Sequence, residues 1–244
     1  MLNVQCLGQS GGPFNPIIQT VVSQGLENII RGITVKKSNR IDLKYVDGIR
    51  NIRRLEGVVD ILSLDIVRGR LNGIPTYPKF IESFGADNRG IYSSPDCPGD
   101  LDMPSSLNQM DPVACFIKIV AKDIDNPSED ELKVAGELQD AYGKVLHVDA
   151  IVGLLAEPHL SGGVSFSKNV AEVTADQFKR SRDGDRFWFE NNSKGEFLPE
   201  ELAMIQNTTM KDLFVRNFDI TVLPDDVFAG GDNWDQTFQN CGAA

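Results

Sequence analysis

A mainly α-helical chain is what this sequence predicts, on three observations. Apolar residues recur at three- and four-residue spacing through several segments, as the 3.6-residue helical period requires. Those segments open on capping residues or proline and close on glycine, the chemistry of helix ends. Strand patterning is confined to isolated pairs of short segments, and nothing repeats internally.

The elements follow in order. In FNPIIQTVVSQGLENIIRG, Asn15 caps, Pro16 takes the first helical position, and Ile17, Ile18, Val21, Val22, Leu26, Ile29 and Ile30 recur at helical spacing up to Gly32. Gly25 in its interior weakens that helix by about 1 kcal/mol relative to alanine. A second helix carries Tyr45, Val46, Ile49 and Ile52 on one face, and a short third one runs from Asp60 to about Val67. Gly73 and Pro75 in GIPTYP set a turn before a helix that ends near Gly85. Residues 86–112 are rich in Gly, Pro, Asp, Asn and Ser with little periodicity, and read as a surface insertion that is irregular, mobile and carries little of the core. NPSEDELKVAGELQDAYG restarts helix with a capping box, Ser128 to Glu131, and closes it at Gly143. Further helices are expected at Asp149 to Leu155, Lys168 to Ser181, Pro199 to Gln206 and Thr209 to Arg216. Within RDGDRFWFENN, residues 182–192, Asp183-Gly184-Asp185 reads as a turn and Phe187, Trp188 and Phe189 as a short strand or anchored loop. Rings at that density are costly to hydrate, so Trp188 and Phe187 are expected to be largely buried.

Composition narrows the function classes. At 244 residues the chain forms one large domain or two small ones, with 41% hydrophobic and 24% charged residues in the ordinary globular range. Its net charge is −11, with 24 Lys and Arg against 35 Asp and Glu, which argues against a nucleic-acid partner. No apolar run approaches the ~20 residues that span a bilayer, and MLNVQCLGQSGGPFN has neither the basic nor the apolar region of a secretory signal. Cys6, Cys97, Cys115 and Cys241 include no CxxC pair, so a four-thiolate zinc site is not expected and the disulfide pairing stays open. Asn191-Asn192-Ser193 and Asn207-Thr208-Thr209 fit the short glycosylation sequon.

Three stretches, in order, carry a resemblance: DILSLDIVRGRLNGIPTY (60–77), YGKVLHVDAIVGLLAEP (142–158) and QFKRSRDGDRFWFENNSKGEFLPEEL (177–202). They resemble motifs of the animal-type haem peroxidases, the peroxidase-cyclooxygenase superfamily. FNPIIQTVVSQGLENIIRG and the tail VFAGGDNWDQTFQNC resemble it more loosely, so the likeness spans nearly all of the chain except residues 86–125. It implies a haem-peroxidase-like helical domain, incomplete at its N-terminal side. Residues 1–244 would be the C-terminal part of that one domain, with the surface insertion at 86–112.

The resemblance also implies chemistry. Its cofactor is haem, and its reaction reduces hydrogen peroxide while oxidising a small-molecule donor such as a halide or phenol. In the family the position of Asp65 is an asparagine that accepts a hydrogen bond from the proximal histidine, the axial iron ligand. A carboxylate there is a stronger acceptor and makes the imidazole more basic. Arg68 matches the family arginine beside the haem propionates, where a guanidinium fork suits a carboxylate. Read without the family, Asp65 is a cap or surface carboxylate and Arg68 a helix-face ion pair. RDGDRFWFEN is, in the family, scaffold rather than catalytic site.

Departures accompany the likeness. Leu71-Asn72 stand where the family has Asp-His, and Val152 or its neighbour stands at a family tryptophan. The distal histidine and arginine, the proximal histidine and a calcium site are expected upstream of this chain. Its two histidines, His147 and His159, fall at positions that are not iron ligands in the family. No catalytic residue and no metal ligand is therefore assigned here. The expectation is a partial peroxidase chain whose partner is the missing N-terminal half of its own domain, with association-prone apolar surface where that half would pack. The alternatives are a non-catalytic peroxidase-like domain and a fatty-acid dioxygenase of the same superfamily. Family likeness favours a secreted or extracellular location.

Overall fold

The computed structural model describes residues 25–35, 40–54, 57–85, 97, 111–161, 165–191, 197–220 and 223–229. Those residues are mainly helical. In chain order they form α1 (Leu26–Val35), α2 (Asp47–Arg50), β1 (Ile52–Arg54), β2 (Gly57–Val59), α3 (Ile61–Leu71), α4 (Tyr77–Phe84), α5 (Val113–Val120), α6 (Glu129–Tyr142), α7 (Ala150–Ala156), α8 (Lys168–Gly184), α9 (Pro199–Asn207) and α10 (Met210–Asn217), with a 3-10 turn at Val145–His147. β1 and β2 pair antiparallel, Arg53 opposite Val58. The chain divides into two compact units, Met1–Asn39 with Val46–Val59 and Arg182–Ala244, and Arg40–Tyr45 with Asp60–Ser181.

The unit holding Asp60–Ser181 contains the larger core. Tyr77, Ile81, Phe116 and Ile119 are fully buried, with Val145, Val148 and Val152 beside them. α5 packs on α6, while α3 and α4 both pack on α7. Tyr77 is the pivot of this core. Its backbone N–H donates to Val148 O at 2.7 Å, and its hydroxyl donates to Glu157 Oε1 at 2.7 Å. Asn169 Nδ2 donates to the same Glu157 oxygen at 2.7 Å, so this buried carboxylate is held by two donors from distant parts of the sequence. Gly153 lies against the Tyr77 ring so closely that a Cβ would overlap the ring root, which explains a glycine inside α7.

Several helix ends follow the sequence chemistry. Asp60 Oδ1 accepts from Ser63 N at 3.1 Å and opens α3. Ser128 and Glu131 form the expected reciprocal capping box at α6. α4 ends where expected, at Gly85 with φ 74.

Elsewhere the structure corrects the sequence reading. Gly25, at φ 77, precedes α1 rather than lying inside it, and the helix runs past Gly32 to Val35; residues 1–24 lie outside the described ones. The expected second helix shortens to the single turn α2, because Ile52 joins β1 and pairs with Val59. α5, VACFIKIV, was not anticipated at all and contributes four buried residues. α8 continues through Asp183 and Gly184, so the turn begins at Asp185.

Within residues 86–112, only Cys97, Asp111 and Pro112 are described, and two of these belong to the core. Cys97 is disulfide-bonded to Cys115 with Cα atoms 5.5 Å apart, and both are buried. Asp111 is buried, with Oδ2 accepting from Val145 N at 2.9 Å and its own N–H donating to Gly143 O at 2.8 Å. The remainder of that stretch, and Cys6 and Cys241, lie outside the described residues.

The other unit has a smaller core of Ile30, Ile220, Leu223 and Val227, with Phe214 and Phe218 packed against it. Its aromatic run is not buried as expected. Phe187 is 68% exposed, and the Arg186 guanidinium lies 4.2 Å from its ring centroid. A cation on its face gives a wet ring a partner that needs no core. Trp188 and Phe189 are half-buried and pack on each other at 5.0 Å, and Trp188 Nε1 donates to Glu190 at 3.0 Å.

Candidate functional site

α3 places both singled-out residues one turn apart. Arg68 Nη1 donates to Asp65 Oδ1 at 3.4 Å, with side chains 66% and 38% exposed. A pair so open to water contributes little to stability, at most about 1 kcal/mol, so the fold alone does not demand it. Asp65, Arg68 and Asn72 line one wall of a cleft of about 290 Å³, and Ile74, Asp149 and Ile151 line another. Asn72, at the family histidine position, ends the helix: its Nδ2 and its backbone N–H both donate to Arg68 O, at 2.8 and 2.9 Å. Leu71 beside it is 81% exposed.

Asp149, which lines this cleft, is its best-anchored carboxylate. Arg70 forks onto Asp149, Nε to Oδ1 at 2.9 Å and Nη2 to Oδ2 at 2.6 Å, and Tyr142 donates its hydroxyl to Oδ2 at 2.9 Å. Hydrogen bonding from Arg70 holds the Asp149 carboxyl below the usual carboxylate value, against the opposing effect of burial. Burial first, then the hydrogen bond to Asp149, pushes the Tyr142 phenol up to about 12. Tyr45 is also raised, by burial and then by Asp65, Asp42 and Asp60. Asp149 opens a predicted helix and lies in the family-like stretch 142–158, and neither signal names its partner. Its partner lies 79 residues away, beyond any spacing rule.

Neither histidine lines the cleft. His147 is exposed at the end of the 3-10 turn, and half-buried His159 has Nε2 2.7 Å from Ile41 O. No group of three or more His, Cys, Asp or Glu side chains among the described residues is arranged to hold a metal ion. No helix among them is long and apolar enough to cross a membrane.

The sequence model of animal haem peroxidases matches residues 12–91 and 114–228, and the chain belongs to that family. It is 31% identical to dual oxidase 1 of Caenorhabditis elegans over 234 residues, covering 91% of this chain and 13% of that protein. It is 27% identical to human eosinophil peroxidase over 228 residues, covering 91% of this chain and 27% of that one. Among solved structures, peroxidase A from Dictyostelium discoideum superposes with a TM-score of 0.56 at 25% identity, over 81% of this chain and 32% of that chain. The chain thus spans a small part of the length of the relatives it matches.

Haem is the usual cofactor of this family. An exposed arginine fork fits a propionate, and a carboxylate whose one ion-pair contact is long fits an imidazole N–H. An axial ligand is not supplied at this cleft, since neither histidine lines it.

Proposed function

We propose that this chain is the proximal-side part of a haem peroxidase domain that reduces hydrogen peroxide and oxidises a small-molecule donor. The observation that carries the reading is the Asp65–Arg68 pair, one helix turn at the wall of a cleft within a family-matched segment. When bound, haem supplies the two-electron reduction of peroxide. Asp65 would accept the N–H of an iron-binding imidazole contributed by polypeptide outside these 244 residues, and would so orient that ring and raise its basicity. Arg68 holds a propionate through its fork. Asn72 keeps the helix end on which both depend in place, through its two hydrogen bonds to Arg68 O. The calcium site of the family has no residues in this assignment.

The test uses the full-length protein. Arg68→Ala is expected to speed haem loss to apomyoglobin at least tenfold, and Asp65→Ala to lower turnover while haem stays bound. Unchanged haem retention and turnover in both would overturn the assignment. A non-catalytic peroxidase-like domain is the second reading, favoured by the absence of both histidines from the cleft wall. Full-length protein that binds haem yet never oxidises a phenol with peroxide would select it.

A further inference from the structure

We infer that Arg70, Asp149 and Tyr142 are positioning residues: they clamp α3 against the start of α7 and so set the direction in which Asp65 and Arg68 face the cleft. The inference rests on the role proposed above for those two residues and deepens it.

The argument begins with what Asp149 does not do. Aspartate before a helix ordinarily accepts from the backbone N–H groups of the first turn. Asp149 occupies that position for α7, yet its side chain makes no capping bond. Both carboxylate oxygens are turned to Arg70 and Tyr142 instead. Three charge-assisted hydrogen bonds converge there, and the Asp149 side chain is 15% exposed while that of Arg70 is 62% exposed. The carboxylate is the fixed point and the guanidinium reaches in to it.

Rotation of α3 is otherwise weakly specified. The helix has no fully buried residue, although Ile66 packs against the core, and Val67 and Leu71 are 49% and 81% exposed. Apolar packing therefore gives it little preference for one rotation. A bidentate arginine-carboxylate pair supplies the missing angular constraint, because two parallel N–H···O bonds fix orientation as well as distance. The fork reaches from Arg70, two residues past Arg68 and five past Asp65. A helix turns about 100° per residue, so a rotation that breaks the fork also swings both site residues away. Asp149 is held in turn from a second direction, since Thr76 pairs with it as an isolated bridge and Tyr77 N–H donates to the neighbouring Val148 O. α3, the end of α6 and the start of α7 thus meet on one carboxylate.

The test uses full-length, haem-loaded protein and two readouts. In an alkaline titration of tyrosinate absorbance, the difference between wild type and Tyr142→Phe isolates one phenol with a midpoint near 12, and Asp149→Asn is expected to lower it while leaving the part that burial supplies. A midpoint that Asp149→Asn leaves in place would mean the clamp is not formed. The second readout is the reduction potential of the haem iron, which a purely structural contact would not move once haem is bound. Asp65→Asn is expected to raise it, and Asp149→Asn and Arg70→Lys to raise it by a fraction of that amount. In the Asp65→Asn background Asp149→Asn is expected to add nothing. Full additivity of the two shifts, or no shift with Asp149→Asn, would overturn the inference. If Asp65→Asn alone moves nothing, the role given to Asp65 fails, and the positioning inference that depends on it fails with it. That result is told apart from failure of the clamp by the tyrosine titration. Tyr142→Phe removes a single hydrogen bond and serves where Asp149→Asn does not fold. It is expected to shift the potential in the same direction by less, and no shift would again overturn the inference.

Discussion

Gly153→Ala places a methyl group where the structure has no room for one. A Cβ built on Gly153 would overlap Cβ, Cγ and Cδ2 of Tyr77. Cβ stays in place in every rotamer, and swinging Cγ and Cδ2 away would break the hydroxyl's bond to Glu157. The ring cannot retreat as a body either, since Tyr77 is fully buried and its hydroxyl is held by Glu157 at 2.7 Å. Overpacking of this kind costs about 1–3 kcal/mol. Alanine returns about 0.5–1 kcal/mol through better helix propensity. With so close an overlap the overpacking cost lies in the upper part of its range, about 2–3 kcal/mol, so the net expectation is a loss of about 1–2.5 kcal/mol, or roughly 2–10 °C in Tm for a chain of this size. Gly136→Ala in α6 is the control, because a Cβ there meets nothing within 4 Å. The same substitution should then raise Tm by about 1–4 °C. Thermal melts followed by circular dichroism at 222 nm read both. Equal or higher Tm for Gly153→Ala would refute the claim that the Tyr77 ring fixes the identity of residue 153.

Three further outcomes are expected. Reduction of the Cys97–Cys115 disulfide, which joins residues 18 apart, should lower stability by about 3 kcal/mol through freed chain entropy, read by urea unfolding with and without reductant. The contribution of the Asp149 contacts should be level across neutral pH. The depressed Asp149 carboxyl gives stability that is full above its ordinary 3.8 and lost as pH falls through its lower folded value; the raised Tyr142 gives stability that is full below 10 and lost as pH rises through about 12. The Tm difference between wild type and Asp149→Asn should therefore stay constant from about pH 5 to pH 9 and shrink in acid. The isolated 244-residue chain mixed with haemin should show no histidine-ligated peroxidase spectrum and no phenol oxidation above free haemin, because neither histidine lines the cleft. Activity abolished by His147→Ala or His159→Ala would reverse that reading.

Local chemistry was legible in the sequence. Ser128 with Glu131, Asp60 and Gly85 each mark a helix end through bonds made within a few residues, and each stands where the sequence placed it. The helix α5 was not legible, because VACFIKIV is apolar except for Lys118 and such a short run fits a buried strand as well as a helix. Val58 and Val59 gave too short a pattern to announce a hairpin, so Ile52 was assigned to a helix by its spacing alone. Ring area alone predicts burial for Phe187, whereas a cation one residue away gives the exposed ring a partner. Asp65 and Arg68 were legible only through the family motif. Arg70, Tyr142 and Asp149 depend on a contact between distant segments that no local pattern records.

The disulfide has a meaning for how this chain could vary. The family match is interrupted between residues 91 and 114, and the bridge joins Cys97, inside that interruption, to Cys115, just beyond it. One end of the unmatched segment is therefore soldered to α5, which buries four of its residues. Between the two cysteines, insertions and deletions change the size of a closed ring without altering where the ring is attached. Lengthening a loop raises its closure cost only logarithmically, by about 0.6 kcal/mol per doubling. Lineages carrying this bridge have a place to accept new sequence, and the helices that frame the cleft need not register the change.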